Sequence, residues 1–548
     1  MLKYILLVLI SCLFAIVIKA QENKSEGQIH GNFQLDAQSY TEDSVIGATK
    51  VPETILMNTY ANFVYTKGGF TAGIRYEAYM NTLLGYDAAY NGQGIPHKFA
   101  SYATDEFEFT VGSFYEQFGS GLVLRAYEEK TLGVDNAING VRIKANPVKG
   151  VYLKALAGKQ RYFFDLGQGI VRAVDGEVNI NEAITTLNEN PTMVTIGGSF
   201  VSKYQADKDP VYVLPENVGA WSGRINVQRG PFNVFGEYAN KINDPSYDNN
   251  YIYKEGQALL LNTSWSSKGL GILVAAKWLD NMSYRSNRDA TIMNLNINYL
   301  PAINKPYTWA MSNMYPFATQ ANGEFGLQGE IMYKFKKETP LGGKYGTNIT
   351  AGYCRVTSID KQAVNDTISI SQTGTLGYKT DFLSMGDDLY YEEFSFEINK
   401  KLSSVFILNM MYQYITYNYD VLRGMSGHGT VYAHTGIADL TWKVTSKKAI
   451  RLEQEYLFTK QDLGNWLMYL VEYSVAPKWF ISVWDQYNMG GEHSDSKNYL
   501  TGSLTFVHKG SRFQLGYGRQ REGVICVGGV CRNVPASNGF IFSVSSTF

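Results

Sequence analysis

Hydrophobic and polar residues alternate at every second position in segments that recur along the whole chain. At residues 70–78, Phe70, Ile74 and Tyr76 fall on one side of the alternation, and Arg75 and Glu77 fall on the other. Successive side chains of an extended strand point to opposite faces, so each such segment predicts a strand with one apolar and one wet face. The clearest segments lie at 28–37, 70–78, 293–299, 325–335, 393–398 and 450–458.

The segments predict an all-β fold, a transmembrane antiparallel β-barrel. They are often about 10 residues long, which suits a tilted spanning strand, and their polar faces are densely charged with both signs. Short connections alternate with long ones, as short periplasmic turns alternate with longer outer loops. The short ones are 67–69, 146–150, 229–231, 476–478 and 508–511, and the long ones are 39–54, 81–103, 241–255, 358–387 and 417–429.

An orientation with the N-terminus in the periplasm puts every short turn on the periplasmic side, provided that 121–127 and 170–178 are also strands. This assignment predicts roughly 26 strands, or 22 to 24 if those two weaker segments fail. Both values lie among the strand numbers of such barrels.

The N-terminus predicts a secretory signal that is cleaved after Ala20. Lys3 supplies a positive start, residues 4–18 are nearly all apolar, and the chain then turns polar. A lipoprotein signal ending at Cys12 is a weaker interpretation, because six more apolar or small residues follow that cysteine. We therefore expect residues 1–20 to be removed and 21–548 to form a single barrel in the outer membrane.

Composition agrees with this class. The chain has 548 residues and a net charge of −1, which favours no nucleic-acid partner. Aromatic residues make up 14%, with 40 Tyr, as expected of a protein with two membrane–water interfaces. The mean hydropathy of −0.19 is too polar for a bundle of membrane helices.

The last segment, 539–548, places four apolar residues on one face and ends in phenylalanine; the four are Phe540, Phe542, Val544 and Phe548. This segment resembles the C-terminal signal that the barrel-assembly machinery reads in bacterial outer-membrane barrels. With 114–125 and the overall pattern, 523–548 also resembles large, poorly characterised outer-membrane barrels of the Bacteroidota. The resemblance implies class, location and contact with outer-membrane lipid, but no established activity. The few residues between Gln21 and the first strand leave no room for the plug domain of TonB-dependent transporters, so we expect no plugged transporter of that kind.

Cys526 and Cys531 flank Val-Gly-Gly-Val in the loop before the last strand. Gly528 and Gly529 suit a tight hairpin, and an oxidising compartment favours a disulfide between the two cysteines. Two free thiols or a metal pair are the alternatives. Cys354 is left over, and we expect it to be a strand residue without a role.

Residues 114–142 concentrate charges among glycines. They form either an inward-folded or constriction element lined by paired charges, or an ordinary hairpin with lumen-facing charges. The candidate lumen residues are Tyr115, Glu116, Arg125, Glu128, Glu129, Asp135, Arg142, Arg75 and Glu77. Further charges predicted on the inner face are Arg224, Glu330, Lys334, Glu393, Glu397, Arg451, Glu453 and Glu455.

Two functions remain open. The first is a porin-like channel or gated pore for polar solutes, in which loops, the 114–142 segment or a partner block an otherwise wide lumen. The second is a structural or accessory barrel of an envelope assembly for secretion or outer-membrane biogenesis, with envelope protein partners. No His-Glu-x-x-His, Gly-x-Ser-x-Gly or P-loop spacing occurs, and His428 and His434 are interpreted as a loop and a strand residue. We therefore expect no enzyme activity, no catalytic residues, no cofactor and no metal.

Overall fold

The computed structural model describes residues 27–490 and 495–548, so the predicted signal, residues 1–20, lies outside the described residues. Twenty-four antiparallel strands form one closed sheet, in which the first strand pairs with the last and Asn32 lies opposite Thr547. The strands are β1 (Gln28–Ser39), β2 (Ile55–Lys67), β3 (Phe70–Met80), β4 (Gly92–Ala103), β5 (Phe107–Phe114), β6 (Ile138–Ala145), β7 (Val151–Tyr162), β8 (Asp165–Asn179), β9 (Thr192–Tyr204), β10 (Asn217–Arg229), β11 (Phe232–Lys241), β12 (Gly256–Ser267), β13 (Leu270–Asp280), β14 (Glu324–Phe335), β15 (Thr347–Thr357), β16 (Leu389–Lys401), β17 (Phe406–Asn418), β18 (Thr430–Lys443), β19 (Lys448–Phe458), β20 (Trp466–Val475), β21 (Trp479–Asn488), β22 (Lys497–His508), β23 (Ser511–Gln520) and β24 (Ser537–Thr547).

The connections contain only short elements. Two α-helical turns cover Ile180–Ala183 and Tyr419–Arg423, and 3-10 turns cover Ala88–Tyr90, Thr185–Leu187, Tyr247–Asn249 and Met311–Asn313. Four small hairpins pair Glu116–Gln117 with Arg125–Ala126, Glu128–Glu129 with Val134–Asp135, Gln362–Ala363 with Tyr378–Lys379, and Gly523–Val527 with Val530–Val534. No helix in 27–490 or 495–548 is long and apolar enough to cross a membrane.

The barrel is apolar outside and polar inside, which confirms the predicted fold class. On β3 the side chain of Ile74 is 46% exposed, whereas Arg75 and Glu77 are 3% and 0% exposed. A soluble sheet would bury the isoleucine and expose the charges. The reversed pattern is that of strands whose outer face meets lipid.

Exposed aromatic side chains form a ring near each end of this apolar outer face. One ring contains Phe232, Trp265, Tyr333, Trp442, Trp479 and Phe513, and the other contains Phe200, Trp221, Tyr353, Tyr432, Tyr469, Tyr517 and Phe540. On β18, Tyr432 and Trp442 are about ten residues apart, so a strand tilted by about 40° separates them by roughly 26 Å along the barrel axis. This is close to the height of about 25 Å of the apolar band in outer-membrane barrels, whose borders carry such rings.

The two ends of the barrel differ as the alternation of connections predicts. The short turns 68–69, 146–150, 230–231, 476–478 and 509–510 all lie at one end, hereafter the turn end. The long loops 40–54, 242–255, 358–388 and 419–429 lie at the other, the loop end. The prediction of a loop over 81–103 is wrong in its second half, because Gly92–Ala103 is a strand. The connections 180–191 and 336–346 are longer than expected at the turn end.

The number of barrel strands, 24, falls within the predicted range, but two predicted strands are absent from the wall. Residues 170–178 are part of β8, whereas 121–127 and 293–299 lie inside the barrel. Leu295 and Ile297 are buried although no barrel strand contains them. An alternating pattern indicates only that one side of an extended segment contacts apolar groups. In this barrel those groups can be either the surrounding lipid or the apolar cluster inside the lumen.

Two long connections therefore fill the lumen. We call residues 115–137, between β5 and β6, segment A, and residues 281–323, between β13 and β14, segment B. One buried apolar cluster joins Phe118 and Leu122 of segment A and Ile297 of segment B to inner-face residues of β7–β13. A second buried cluster contains five apolar residues of segment B and inner-face residues of β15–β20 and β22. The five are Ile303, Met311, Met314, Tyr315 and Phe317.

We expect Val471→Arg, in the middle of the outer face of β20, to lower the free energy of unfolding by about 2–4 kcal/mol, because it places a charge in the lipid band. Val471 is 50% exposed and lies opposite Leu452 and Val483. Urea titration of the barrel in lipid vesicles measures the change. Val213→Arg, in a loop-end residue that is 86% exposed, is the matched control and should have little effect. Equal costs at both positions would contradict the assignment of the lipid band.

Candidate functional site: the filled lumen

Segment A turns back into the barrel directly after Phe114. Its tip is a tight turn, in which Gly119 and Gly121 adopt φ values of 52° and 101°. The backbone N–H of Ser120 donates to a carboxylate oxygen of Glu237 on β11 at 2.7 Å. A Cβ at Gly119 would lie 2.6 Å from the same carboxylate, so the contact needs glycine there. The tip is thus held against β11.

A buried ion network fixes the other part of segment A. Asp135 bonds to the guanidinium groups of Arg75 on β3 and Arg161 on β7, the latter at 2.5 Å. Arg161 also binds Glu77 at 2.6 Å, and Arg75 binds Glu128 of segment A at 2.9 Å. Burial alone would raise the pKa of the Asp135 carboxyl, but Arg161 and Arg75 hold this pKa below its usual value. Asp135 therefore stays ionised and ties segment A to two strands.

Glu116 makes a second attachment. Its carboxylate binds Lys154 of β7 at 2.9 Å, Lys144 of β6 at 3.1 Å and Arg142 of β6 at 3.3 Å. Burial raises the pKa of Glu116, but the two ammonium groups outweigh it and bring the pKa below its usual value. Glu128 behaves in the opposite way, since its burial outweighs the attraction of Arg75 and raises its pKa. Glu128 is thus the weakest of the three carboxylates that attach segment A.

Segment B is attached to the wall mainly through carboxylates of the strands. Lys305 binds Glu330 of β14 at 3.1 Å and Glu397 of β16 at 2.8 Å. The Tyr307 hydroxyl donates to Glu393 of β16. The backbone N–H groups of residues 310 and 311 donate to Glu455 of β19 at 3.1 and 2.8 Å. Glu393 and Glu455 thus lie on the inner face, as predicted, and there they accept hydrogen bonds from segment B.

The two segments also bond to each other, so they form one body across the lumen. The N–H of Arg125 donates to the Ile297 carbonyl at 2.8 Å, and the N–H of Tyr299 donates to the Gly121 carbonyl at 3.0 Å. The Asn298 side chain donates to the Leu122 carbonyl at 3.1 Å. These bonds satisfy buried backbone groups that no barrel strand reaches.

The predicted disulfide between Cys526 and Cys531 is present and closes a hairpin at the loop end. Its tip lies on segment B: the Gly528 carbonyl accepts from the Tyr299 hydroxyl at 2.8 Å. The Gly529 carbonyl accepts from the N–H of Thr319 at 3.1 Å. A cavity of about 370 Å³ lies beneath this tip, with Tyr127, Asp248, Arg285 and Asn298 among its lining residues. The hairpin thus covers the loop-end entrance above the segments.

The structure brings the nine candidate lumen residues together in segment A and on the strands beside it. Tyr115 donates to Asp135 at 3.1 Å and completes the ion network. Among the described residues Arg125 pairs with no carboxylate; its guanidinium lies over the rings of Tyr127 and Tyr299, 4.6 and 4.0 Å from their centroids. Glu129 accepts from the N–H of Thr131 at 3.1 Å and makes no ion pair within the described chain.

Sequence reasoning missed segment B as a lumen element. The signal was present after 299, where alternation stops and Pro301, Pro306 and Pro316 follow within one long connection. Prolines lack the N–H that a barrel strand must donate, so this stretch could not belong to the wall. In the described residues no group of three or more His, Cys, Asp or Glu side chains is arranged to hold a metal ion.

A closed barrel with an apolar outer band and a filled lumen defines a large outer-membrane-type β-barrel. The chain belongs to the family of unknown function (DUF6029), which it matches over residues 1–548. No curated protein matches it.

Among solved structures, a ferric enterobactin receptor (PfeA) of Pseudomonas aeruginosa shares 10% identity at a TM-score of 0.42, covering 96% of this chain and 81% of the receptor. The siderophore receptor PiuA of Acinetobacter baumannii shares 11% identity at a TM-score of 0.40, with 96% and 82% covered. OccAB4 of Acinetobacter baumannii shares 10% at a TM-score of 0.34, with 85% and 100% covered. These similarities carry no inference about a ligand.

We expect Arg161→Gln to lower the free energy of unfolding by about 3–5 kcal/mol, because it leaves two buried carboxylates, Glu77 and Asp135, with Arg75 as their one shared arginine within the described residues. Unfolding in detergent, followed by tryptophan fluorescence, measures the loss. The matched control is the double variant Arg161→Gln with Glu77→Gln, which removes both charges and should recover a large part of the stability. A double variant no more stable than the single one would contradict the pairing.

Proposed function

We propose that the protein is a gated outer-membrane channel for polar solutes that is closed at rest by segments A and B. The observation that carries this proposal is that ion pairs and hydrogen bonds attach both segments to a charged wall. A barrel of 24 strands encloses a lumen far wider than its own side chains fill. Removing either segment would expose polar wall and leave a passage.

The wall is divided electrostatically, which gives the passage a predicted ion preference. The wall cations that bind segment A are Arg75, Arg142, Lys144, Lys154 and Arg161. The wall groups that bind residues 305–311 of segment B are the carboxylates Glu330, Glu393, Glu397 and Glu455. Charged side chains at a constriction set ion selectivity, so a path beside segment A favours anions and one beside 305–311 favours cations.

We expect single-channel recordings in planar bilayers to show a wild-type barrel that is mostly silent. Replacing 117–135 with a Gly-Ser linker should give steady conductance with anion selectivity, and replacing 302–317 should give conductance with cation selectivity. Reversal potentials in a salt gradient supply the sign. Heat-modifiable migration on SDS gels shows that each variant is folded. Silence from both folded variants, or the same selectivity from both, would overturn the gated-channel proposal.

Attachment of segment A should depend on pH. Carboxylates with lowered folded pKa values stabilise the closed state above their ordinary pKa, and this stabilisation is lost as pH falls through the folded value. Glu116 and Asp135 are of this kind, whereas Glu128, whose pKa is raised, loses its charge at a higher pH. Because Glu116 and Asp135 still hold segment A, we expect closure to persist at pH 5 and brief openings to appear only below about pH 4.

Glu116→Gln should produce openings already at pH 7, because it removes the charge that Lys144 and Lys154 bind. Glu129→Gln is the matched control: it changes a carboxylate of the same segment that binds no wall cation, and it should leave the barrel closed. The frequency of openings in bilayer recordings is the readout. Equal behaviour of the two variants would show that this ion cluster does not hold the segment.

An accessory barrel of an envelope complex is the second candidate, favoured by the apolar packing of segment A. Phe118, Leu122, Val123 and Leu124 are at most 1% exposed and lie in one cluster with Val171 and Val201 of the wall. Burying four such side chains is worth roughly 6–12 kcal/mol, comparable with the whole stability of many domains. Opening would then need a partner, and stoichiometric co-purification of one in mild detergent would support this role.

A further inference from the structure

The turn end of the barrel is strongly cationic over more than half of its circumference. Seven turns connect the strands from β10 to β23 at this end: 230–231, 268–269, 336–346, 402–405, 444–447, 476–478 and 509–510. Many cationic side chains lie in these turns or at adjoining strand ends. Ten of them are called the basic rim here: Arg229, Lys268, Lys336, Lys337, Lys344, Lys400, Lys447, Lys448, Lys478 and Lys509. Glu338 is the one acidic side chain in these seven turns.

The rim cations are available to a partner. All except the half-buried Lys400 are exposed. Within residues 27–490 and 495–548 none of the ten forms a salt bridge, whereas Lys203, Lys277 and Lys305 in the lumen are all paired. Unpaired cations at this density repel one another, so an anionic surface that they contact would lower the free energy of this end.

Their height matches that of lipid headgroups. Trp265, Trp442 and Trp479 belong to the aromatic ring at the turn end, and such rings lie at the membrane–water interface. Lys268 follows Trp265, Lys447 follows Trp442 and Lys478 directly precedes Trp479. Each lysine lies on the side of its tryptophan that is away from the apolar band. Lysine and arginine stems extend their charged ends to the same interface.

The cationic character belongs to this arc and not to the whole surface. Elsewhere at the turn end the charges are mixed: Lys67 and Lys149 lie at the turns 68–69 and 146–150, whereas the turns 104–106 and 180–191 carry the carboxylates of Asp105, Glu106, Glu182 and Glu189. In the described loops of the opposite end carboxylates outnumber cationic side chains, with Asp360, Asp366, Asp381, Asp387 and Asp388 in the loop 358–388 alone.

We propose that the basic rim binds anionic phospholipid headgroups and so fixes the barrel in the leaflet at its turn end. Arg229, Lys400 and Lys448 are each an even number of residues from a lipid-facing residue of the same strand, and therefore point outward toward the membrane. The lipid-facing residues are Ile225, Ile398 and Leu452. This outward direction favours lipid over an acidic protein as the partner. An acidic protein below the barrel would instead meet the cations in the turns, such as Lys268, Lys478 and Lys509. The rim cations are spread over seven turns, which suits many mobile headgroups better than a single ligand.

Native mass spectrometry of the intact barrel in detergent, with equimolar phosphatidylglycerol and phosphatidylcholine, tests the proposal. Each lysine near an anionic surface contributes about a fivefold preference, so the wild type should retain phosphatidylglycerol at least fivefold more than phosphatidylcholine. A triple variant, Lys447→Gln, Lys448→Gln and Lys478→Gln, removes three of the ten rim cations and should retain clearly less phosphatidylglycerol than the wild type, and 0.5 M salt should weaken the preference of both.

The matched control removes the same number of exposed, unpaired lysines from the loop end: Lys208→Gln, Lys379→Gln and Lys460→Gln. It should retain phosphatidylglycerol like the wild type. Heat-modifiable migration shows that both triple variants are folded. A wild type without lipid preference, or equal losses in the two triple variants, would overturn the proposal. Polyglutamate binding that depends on the rim, without a preference for phosphatidylglycerol, would overturn it in favour of an acidic protein partner.

Discussion

Closure of the sheet is the constraint on which the rest of this structure depends. A strand in hydrocarbon has no water to bond its N–H and C=O groups, so every strand needs a partner on both sides. Pairing of Asn32–Gln38 with Ile541–Thr547 gives the first and last strands that second partner. Once 24 strands are joined in this way, the outer face must be apolar because it contacts lipid. The closed sheet also surrounds a wide interior space, and the polar side chains of each strand face that space.

That interior space explains the chemistry of the wall. Arg75, Glu77 and Arg161 are nearly free of solvent contact, and charges in such an environment are tolerated only when they are paired. Segments A and B supply the missing partners, since Asp135 binds two arginines and Lys305 binds two glutamates. In an open barrel, charged side chains of the inner face line a water-filled lumen. Here the same kind of side chain binds segments A and B, which fill the lumen. This dual use underlies the proposal of a gate, because ion pairs can be exchanged for water and mobile ions.

Packing opposes easy opening. Fully buried residues of segment A contact the wall through apolar side chains, and segment B forms its own apolar cluster with the strands on the opposite side. The lumen therefore combines a protein-like core with charged attachments at its edges. Pairing of Tyr299 with Gly528 adds a cover at the loop end, where the disulfide restrains the hairpin. In the proposed channel, a force or ligand that opens the barrel would act on this layered arrangement from one of its two ends.

The sequence alone determined the fold class and the inward direction of Arg75 and Glu77, because alternate residues of a strand such as Phe70–Met80 point to opposite faces. The lengths of the connections between such strands determined the separation of short turns from long loops. The Cys526–Cys531 pair was equally local, since two glycines and six residues suffice to close it. Only the tertiary structure decided that 293–299 lies in the lumen instead of the wall, because a buried segment and a lipid-facing strand share one pattern. It alone also decided which carboxylate meets which cation, for Glu77 and Arg161 are 84 residues apart and meet only when the barrel closes.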